Sequence, residues 1–185
     1  MSRLIETIRV EDGRPGNIGY HFKRMKNLHV DEFSKIKLPS HGIYKLRIVY
    51  DADHFEFTLS PYTIRPVRAL KLVTDNDIVY DQKFEDRSNI ERLSKLKGSC
   101  DDILIIKNDV VTDVSYANIV FRQGTAWYTP DSFLLNGTMR QQLLDVGRIK
   151  ERRITVHDLP DFSHFKLINA MLRDEAPESE ILNIR

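Results

Sequence analysis

Lys83 lies in the polar stretch "YDQKFEDRSNIERL", immediately before a predicted helix that Asp86 could cap. A lysine in such a stretch is most often a solvated loop residue with no chemical role. The alternative is a lysine that forms a Schiff base with a carbonyl cofactor. This chemistry requires a neutral amine, and so a pKa lowered by burial or by a neighbouring cation. The residues around Lys83 leave both interpretations open.

Asp113 is the second candidate, because it interrupts the apolar stretch "VVTDVSYANIVF". β-branched and aromatic residues on both sides of it predict strands. A carboxylate beside a buried strand is costly unless a cation meets it. A carbonyl cofactor such as pyridoxal phosphate requires a carboxylate at its ring nitrogen, which keeps the ring protonated and makes it an electron sink. The alternative is a strand-end aspartate that faces water.

The remaining candidates suit an anion such as the phosphate of that cofactor. Arg24 lies among apolar residues at helical spacing, and its planar fork suits bidentate binding. Thr138 and Met139 follow a glycine at a predicted helix start, where free amides favour anions. Asn169 and Ala170 offer a side-chain amide and a backbone amide. The ordinary alternatives are a surface arginine, an unliganded helix start and a strand end.

The composition excludes several classes of protein. The chain has 185 residues, of which 41% are hydrophobic and 30% charged, as in ordinary globular proteins. A formal net charge of +1 indicates no nucleic-acid partner, and the apolar runs are too short to span a membrane. The N-terminal stretch lacks a signal-peptide core, Cys100 is the single cysteine, and the histidines show no metal-ligand spacing. We therefore expect a cytoplasmic protein without a metal site.

Alternation and helical spacing predict the elements that must position these residues. Strands and hairpins are predicted within residues 3–16, 42–62, 63–74, 101–130 and 152–172, with a small strand in the tail 175–185. Helices are predicted within residues 18–36, 86–99 and 136–149. This order predicts an α+β chain of two lobes, a small N-terminal lobe over residues 1–70 and a larger strand-rich lobe over residues 71–185. A ligand site is expected in the crevice between them.

Five motifs resemble those of the class IV aminotransferases, the fold-type IV pyridoxal-phosphate enzymes. "ETIRVEDGRP" followed by "YHFKRM" is similar to the family's N-terminal signature, in which an H-x-x-R pattern corresponds to His21 and Arg24. "KFEDRSNIERL" resembles the segment of the Schiff-base lysine, and "VTDVSYANIVF" resembles the stretch that carries the acid. "LLNGTMRQQLL" resembles the phosphate-binding Gly-x-x-Arg turn, and "HFKLINAML" the last signature strand. The motifs occur in the family's order and cover nearly the whole chain.

The resemblance implies a two-lobed, D-amino-acid aminotransferase-like fold whose N-terminal lobe is reduced. It implies pyridoxal 5'-phosphate as the cofactor, with Lys83 as the catalytic Schiff-base lysine and Asp113 at the ring nitrogen. The other implied cofactor-binding residues are Arg24, Thr138, Met139, Asn169 and Ala170. Two features depart from the family pattern. Asp113 stands where a glutamate is usual, and most of the shortening falls before Lys83, in the lobe that supplies much of the substrate pocket.

The resemblance also implies a small amino substrate. Lys83 would remove the proton next to the imine, and transamination or loss of a leaving group would follow. The aminodeoxychorismate lyases, which release pyruvate to give 4-aminobenzoate, are compact members, and "NGTMRQ" and "INAML" resemble theirs most. A class IV aminotransferase of branched-chain or D-amino acids is the alternative. A non-catalytic relative that binds pyridoxal phosphate or another small anion stays open, although such a protein would not need Lys83.

A homodimer is expected as well, because the family's active site lies near a subunit interface. The hairpin within residues 42–62 carries Tyr44, Tyr50, Phe55 and Phe57 among charged residues. Aromatic residues are enriched at interfaces, and a lobe of this size has a marginal core of its own. The alternative is that these aromatic side chains pack inward and need no partner.

Overall fold

The computed structural model describes residues 3–185, which form three sheets and four α-helices. The first sheet is antiparallel with the order β2-β1-β3-β4. Its strands are β1, Leu4–Glu11; β2, Arg14–Pro15; β3, Ile43–Tyr50; and β4, Phe55–Pro61. Side chains alternate between its two faces. Ile8, Val10, Leu46 and Ile48 lie buried on one face, and Thr7 and Arg47 stand on the other.

The stretch predicted as one helix over residues 18–36 forms two short helices. They are α1 over Ile18–Arg24 and α2 over Val30–Ser34. Three non-glycine residues between them have φ angles between 54° and 58°, which a right-handed helix cannot contain. The break lets Phe33 pack edge-on against Phe22, with the ring centroids 5.2 Å apart. The prediction of a single helix is therefore wrong, and aromatic packing accounts for the difference.

Two further sheets form the rest of the chain. In the three-stranded sheet β5-β6-β7, β5 runs parallel to β6 and β7 runs antiparallel to it. Its strands are β5, Leu70–Thr74; β6, Asp102–Lys107; and β7, Val110–Val114. The five-stranded sheet has the order β10-β9-β8-β11-β12. Its strands are β8, Asn118–Gln123; β9, Ala126–Pro130; β10, Lys150–Arg152; β11, His164–Ile168; and β12, Ser179–Glu180. The two sheets share one core, which includes Leu104, Phe121 and Phe165.

The remaining helices are α3, Ser88–Ser94, and α4, Thr138–Asp145. Short 3₁₀ turns cover Lys95–Lys97, Val156–Asp161 and Ile181–Asn183. Ile90 and Leu93 of α3 are buried as the helical spacing predicts, but Leu96 is 56% exposed. The 3₁₀ turn has three residues per turn and so rotates Leu96 away from the buried face.

The segment that precedes α3 is joined to the first sheet. Ile5 N donates to Lys83 O at 2.8 Å, Glu85 N donates to Arg3 O at 2.9 Å, and Leu4 and Phe84 form an antiparallel bridge. The predicted α+β, two-lobed fold is confirmed, and the boundary after residue 70 stays a prediction. Among the residues that the structure describes, no helix has the length and apolar character needed to cross a membrane.

Candidate active site

A cavity of about 450 Å³ lies between the first sheet and the rest of the chain. Six of the seven residues predicted to bind a cofactor line it: Arg24, Lys83, Asp113, Thr138, Asn169 and Ala170. The side chain of Met139 lies elsewhere, buried against Val120, Leu143 and Ile168. Its predicted part in binding could therefore involve only its backbone. Residues from both lobes thus surround one cavity, although they are far apart in sequence.

Lys83 is held beside the cavity by the backbone bond from Ile5 to its carbonyl oxygen. Burial, with the nearby guanidinium groups of Arg24 and Arg87, lowers the pKa of Lys83 to about 8, although the charge of Glu6 acts in the opposite direction. The neutral amine is thus roughly two orders of magnitude more populated at neutral pH than in a solvated lysine. Lys83 therefore meets the electrostatic requirement for a nucleophile.

The Arg24 side chain is held in place by a buried carboxylate, Glu6, which was not among the residues predicted from the sequence. Glu6 is fully buried, and Arg24 donates to its two oxygens through Nε and Nη2, both at 2.6 Å. His21 Nδ1 lies 2.6 Å from Glu6 Oε2. Burial alone would raise the pKa of Glu6, but Arg24 and His21 outweigh it and hold that pKa at about 2. The alternation in β1 places Glu6 among apolar residues, and this pattern is the signal in the sequence that could have identified it.

Asp113 meets polar groups of its own chain. Asn118 Nδ2 donates to Asp113 Oδ1 at 2.7 Å, and the amides of Leu134 and Leu135 donate to Oδ2 at 3.0 and 2.9 Å. Burial raises the pKa of Asp113 to about 6, although these bonds favour the carboxylate. Oδ1 accepts only one of these bonds and a carboxylate oxygen can accept two, so a cationic partner in the cavity can still be accommodated there. Such a cation would also stabilise the ionised form.

Gly137 permits a close contact at the start of α4. A Cβ atom at this position would lie 2.2 Å from Asn118 Oδ1. Asn118 also donates to Leu135 O at 2.9 Å, so it joins Asp113 to the loop that leads into the helix. The glycine is required here by the close approach, since its φ of −65° is open to any residue. This contact brings the free amides at the start of α4 to the cavity.

Asn169 uses its side chain to close its own turn. Its Oδ1 accepts from the amides of Met171 and Leu172 at 2.9 and 2.8 Å. Arg9, which is buried on β1, donates to Met171 O at 3.1 Å and so ties this turn to the first sheet. The side-chain oxygen of Asn169 therefore has a structural role in its own turn, as the strand-end alternative predicts. Asn169 and Ala170 nevertheless line the cavity.

Arg140, the arginine of the "NGTMR" turn, points away from the cavity. It is 1% exposed and donates to Pro130 O at 3.0 Å and to Asn136 Oδ1 at 3.2 Å. Its guanidinium also lies over the Phe133 ring, 4.2 Å from the centroid, and bonds Glu151. Arg140 therefore stabilises the loop before α4. The start of that helix lies at the cavity, whereas the Arg140 side chain does not.

Known proteins support the resemblance. The family described as "Amino-transferase class IV" matches residues 90–173. An uncharacterized protein of Haemophilus influenzae is 39% identical in an alignment that covers 92% of this chain and 98% of that protein. The crystal structure of a candidate 4-amino-4-deoxychorismate lyase from Haemophilus somnus is 35% identical, with a TM-score of 0.83 over 92% of this chain and 97% of that one.

The chain belongs to the class IV aminotransferase family. It is therefore an enzyme of the lyase or aminotransferase type, and the family depends on pyridoxal phosphate. A more distant structure, the pyridoxal-phosphate-bound form of a hypothetical aminotransferase from Mycobacterium tuberculosis, is 16% identical and shows the same fold with a TM-score of 0.73. The match covers 92% of this chain but 78% of that one, in keeping with the reduced lobe of this class IV enzyme.

The cavity of this class IV enzyme suits the family's cofactor. Lys83 offers an amine of lowered pKa, and Asp113 offers a buried carboxylate. Arg24 Nη1 has no hydrogen-bond partner among residues 3–185, and in the same range Arg87 Nε is buried without one. These donors lie at the cavity that the start of α4 also reaches. The cavity thus offers an amine, a carboxylate suited to a ring nitrogen and donors suited to an anion.

Three basic residues of the cavity were missed in the sequence. Lys45 and Arg47 alternate with buried residues on β3, and both point into the cavity. Arg87 lies four residues after Lys83, immediately before α3, and donates to Ser115 O at 2.5 Å. The alternation of β3 showed that Lys45 and Arg47 share a face, but only the packing of the two lobes shows what that face meets.

Proposed function

We propose that this class IV enzyme is a pyridoxal-phosphate-dependent lyase of the aminodeoxychorismate type, which releases pyruvate and leaves 4-aminobenzoate. The observation that carries the proposal is the set of basic side chains in the cavity beyond those suited to the cofactor. They are Lys45 and Arg47. The 35% identity to the candidate lyase from Haemophilus somnus supports the same reaction class.

The charge of the substrate is the reason for this choice. 4-Amino-4-deoxychorismate carries one carboxylate on its ring and another on its enolpyruvyl group, whereas most amino acids carry one. Arg47 shares its charge with Glu85 at 3.4 Å. For Lys45, residues 3–185 supply neither a hydrogen bond nor an ion pair to its amine. A second carboxylate would give this cation a partner, since charge-assisted bonds are strongest away from bulk water.

The cofactor would be held by Lys83, Arg24, Asp113, Thr138, Asn169 and Ala170, with the backbone of Met139 as a further donor. When bound, pyridoxal phosphate supplies an electron sink for the carbon that bears the amino group. Asp113 keeps the adjacent ring nitrogen protonated, and the buried setting strengthens this bond. Arg24 and the start of α4 bind and orient the phosphate.

Lys83 Nζ moves the proton in this proposal. It removes the hydrogen from the ring carbon that bears the amino group of the substrate. The electron pair left behind forms a ring double bond as the neighbouring carbon–oxygen bond breaks. The enolate of pyruvate leaves with the electron pair of that bond, accepts a proton on its terminal carbon and becomes pyruvate, and the ring that remains is aromatic 4-aminobenzoate. A pKa of about 8 makes Lys83 both a competent base and a competent acid near neutral pH.

The test supplies the purified enzyme and pyridoxal phosphate with 4-amino-4-deoxychorismate. We expect pyruvate and 4-aminobenzoate in equal amounts and no need for a keto acid. A panel of branched-chain and D-amino acids with 2-oxoglutarate runs in parallel. Amino transfer in the panel without pyruvate release would establish an aminotransferase instead. Cofactor binding without either reaction would establish a non-catalytic relative.

A further inference from the structure

The first sheet contains a carboxylate in a place where its neighbours are apolar. Glu6 lies on the face of β1 that also carries Ile8 and Val10, and it is fully buried. A buried acid is costly, and replacing a buried ion pair by apolar residues is often neutral or stabilising. Packing of this sheet against α1 therefore gives no reason for an acid at position 6.

Glu6 accepts two hydrogen bonds from Arg24, whose guanidinium keeps one edge free. Arg24 uses its Nε and Nη2 on the two oxygens of Glu6, each at 2.6 Å, which is the side-on fork geometry. This arrangement leaves Nη1 without a hydrogen-bond partner within residues 3–185. The Arg24 side chain is 18% exposed and lines the main cavity. Glu6 thus fixes one edge of the guanidinium and leaves the rest for a ligand.

His21 further restricts the orientation of the Glu6 carboxylate. A carboxylate only accepts hydrogen bonds, so the 2.6 Å contact from His21 Nδ1 requires the hydrogen on that nitrogen. His21 is fully buried one turn before Arg24 on α1. Both Glu6 oxygens are therefore engaged, and the direction of the Arg24 fork is set by two elements, β1 and α1.

Arg24 needs such a restraint because it has space on both sides. A second cavity of about 280 Å³ lies next to the main one and shares Arg24 and Lys83 with it. Lys23, Gln82 and Asn136 also line this second cavity. An arginine without a fixed partner could place its long side chain in either space. The Glu6 fork decides which cavity receives the free edge.

We infer that Glu6 is a positioning residue, which aims Arg24 at the phosphate of the cofactor and sets the charge beside Lys83. This inference rests on the proposed function, because it takes a phosphate as the ligand of Arg24. Glu6 itself touches neither cavity, so it acts only through its neighbour. Glu6 also limits the effect of the Arg24 charge on Lys83, because Arg24 lowers the pKa of Lys83 whereas Glu6 raises it.

The test measures binding of 4'-deoxypyridoxine 5'-phosphate by calorimetry. This probe has the ring and the phosphate but no aldehyde, so its affinity does not depend on a covalent bond to Lys83. 4'-Deoxypyridoxine, which lacks the phosphate, is measured beside it. In Glu6→Gln we expect the phosphorylated probe to bind roughly 10- to 100-fold more weakly, the range typical of residues that orient a ligand-binding group. Binding of the unphosphorylated probe should not change.

Glu11→Gln is the matched control, because Glu11 is on the same strand and also bonds arginines, Arg9 and Arg173. It should leave both affinities unchanged. If Glu6→Gln binds the phosphorylated probe as the unmodified enzyme does, or loses both probes equally, the inference is overturned. If Glu6→Gln does not fold, Glu6→Asp keeps the charge but cannot reach both nitrogens, and unaltered probe binding in that variant overturns the inference too. An unmodified enzyme that binds neither probe would contradict the proposed function itself.

Discussion

At the scale of single residues, the cavity converts ordinary side chains into reactive ones. Lys83 would be a common loop lysine if the first sheet did not cover it, and its pKa of about 8 results first from burial. Asp113 is likewise an ordinary acid whose pKa is raised to about 6 by burial. A lysine of lowered pKa beside a carboxylate of raised pKa is the pairing that acid–base chemistry needs near neutral pH.

Lys83→Ala should abolish cofactor attachment and leave the fold intact. Within residues 3–185 the Lys83 amine makes no hydrogen bond, so we expect the free energy of unfolding to change by less than about 1 kcal/mol. The measurement is the visible absorbance of the enzyme with pyridoxal phosphate, together with borohydride fixation and mass spectrometry. Lys95→Ala, at an exposed lysine beyond α3, is the control. An unchanged spectrum in Lys83→Ala would show that another lysine is used.

The rate of cofactor attachment should follow the titration of Lys83. The neutral amine is the attacking form, so the rate should rise about tenfold per pH unit and level off above pH 8 or so, near the lowered pKa. A solvated lysine would keep gaining reactivity up to about pH 10.4. Stopped-flow absorbance between pH 6 and pH 10 or so measures this, with N-acetyl-lysine as the reference amine. A rate that still rises steeply above pH 9 or so would contradict the lowered pKa.

Asp113→Asn should leave the cofactor bound but lower turnover by roughly two to four orders of magnitude. An asparagine does not stabilise a protonated ring nitrogen, so the ring loses most of its capacity to accept electrons. Pyruvate release in a coupled assay measures turnover, and the absorbance of the bound cofactor confirms occupancy. Near-normal turnover at full occupancy would exclude Asp113 as the ring partner.

At the scale of elements, the loop between β9 and α4 depends on one polar cluster. Asp113 on β7 accepts from Leu134 and Leu135, and Asn118 on β8 holds Leu135 and lies against Gly137. The residues that we propose to bind the cofactor ring thus also place the helix start that we propose to bind its phosphate. A change at this cluster should therefore alter stability and cofactor binding together.

Gly137→Ala tests this coupling. The added Cβ would lie 2.2 Å from Asn118 Oδ1, so Asn118 must move and weaken its bonds to Asp113 and Leu135. We expect a loss of about 1 to 3 kcal/mol in the free energy of unfolding and weaker cofactor binding. Chemical denaturation and cofactor titration provide the two measurements. Gly19→Ala is the matched control, because a Cβ in α1 meets nothing within 4 Å. Equal effects of the two substitutions would count against the cluster.

At the scale of the whole molecule, most aromatic residues of the N-terminal hairpin already have partners within the chain. Tyr50 is buried, and Tyr44 and Phe55 pack against the core between the first sheet and its helices. Phe57 is 46% exposed and lies on β4, the edge strand of that sheet. Exposed aromatic residues and unpaired edge strands are both features of association surfaces.

We predict a two-fold homodimer to which the N-terminal lobe contributes. Light scattering at micromolar concentration should give about twice the mass of one chain, 21.6 kDa. Phe57→Glu should favour the single chain, because it puts a charge on the exposed aromatic position. Phe55→Leu keeps an apolar residue in the core and serves as the control. A mass of a single chain for the unmodified protein would contradict the dimer.

The sequence by itself determined the local structure and the type of chemistry. Alternation predicted the hairpins of β3–β4 and β6–β7, and helical spacing with a following glycine predicted α3, because these signals depend on neighbours along the chain. The order of five motifs led to the family and to Lys83, Asp113 and Arg24. The break between α1 and α2 was missed, because it arises from contact between Phe22 and Phe33.

Only the tertiary structure decided which groups share one environment. Lys45 and Arg47 belong to no motif, and Glu6 opens the N-terminal signature without being singled out in it. The roles of all three depend on which face of the first sheet meets the second lobe. Arg140 matched a phosphate-binding motif, yet packing buries it against Phe133 and away from the cavity. The burial of a side chain and the charges around it depend on residues that are far apart in the chain. A lowered pKa at Lys83 therefore follows from the assembled fold and cannot be deduced from the residues beside it.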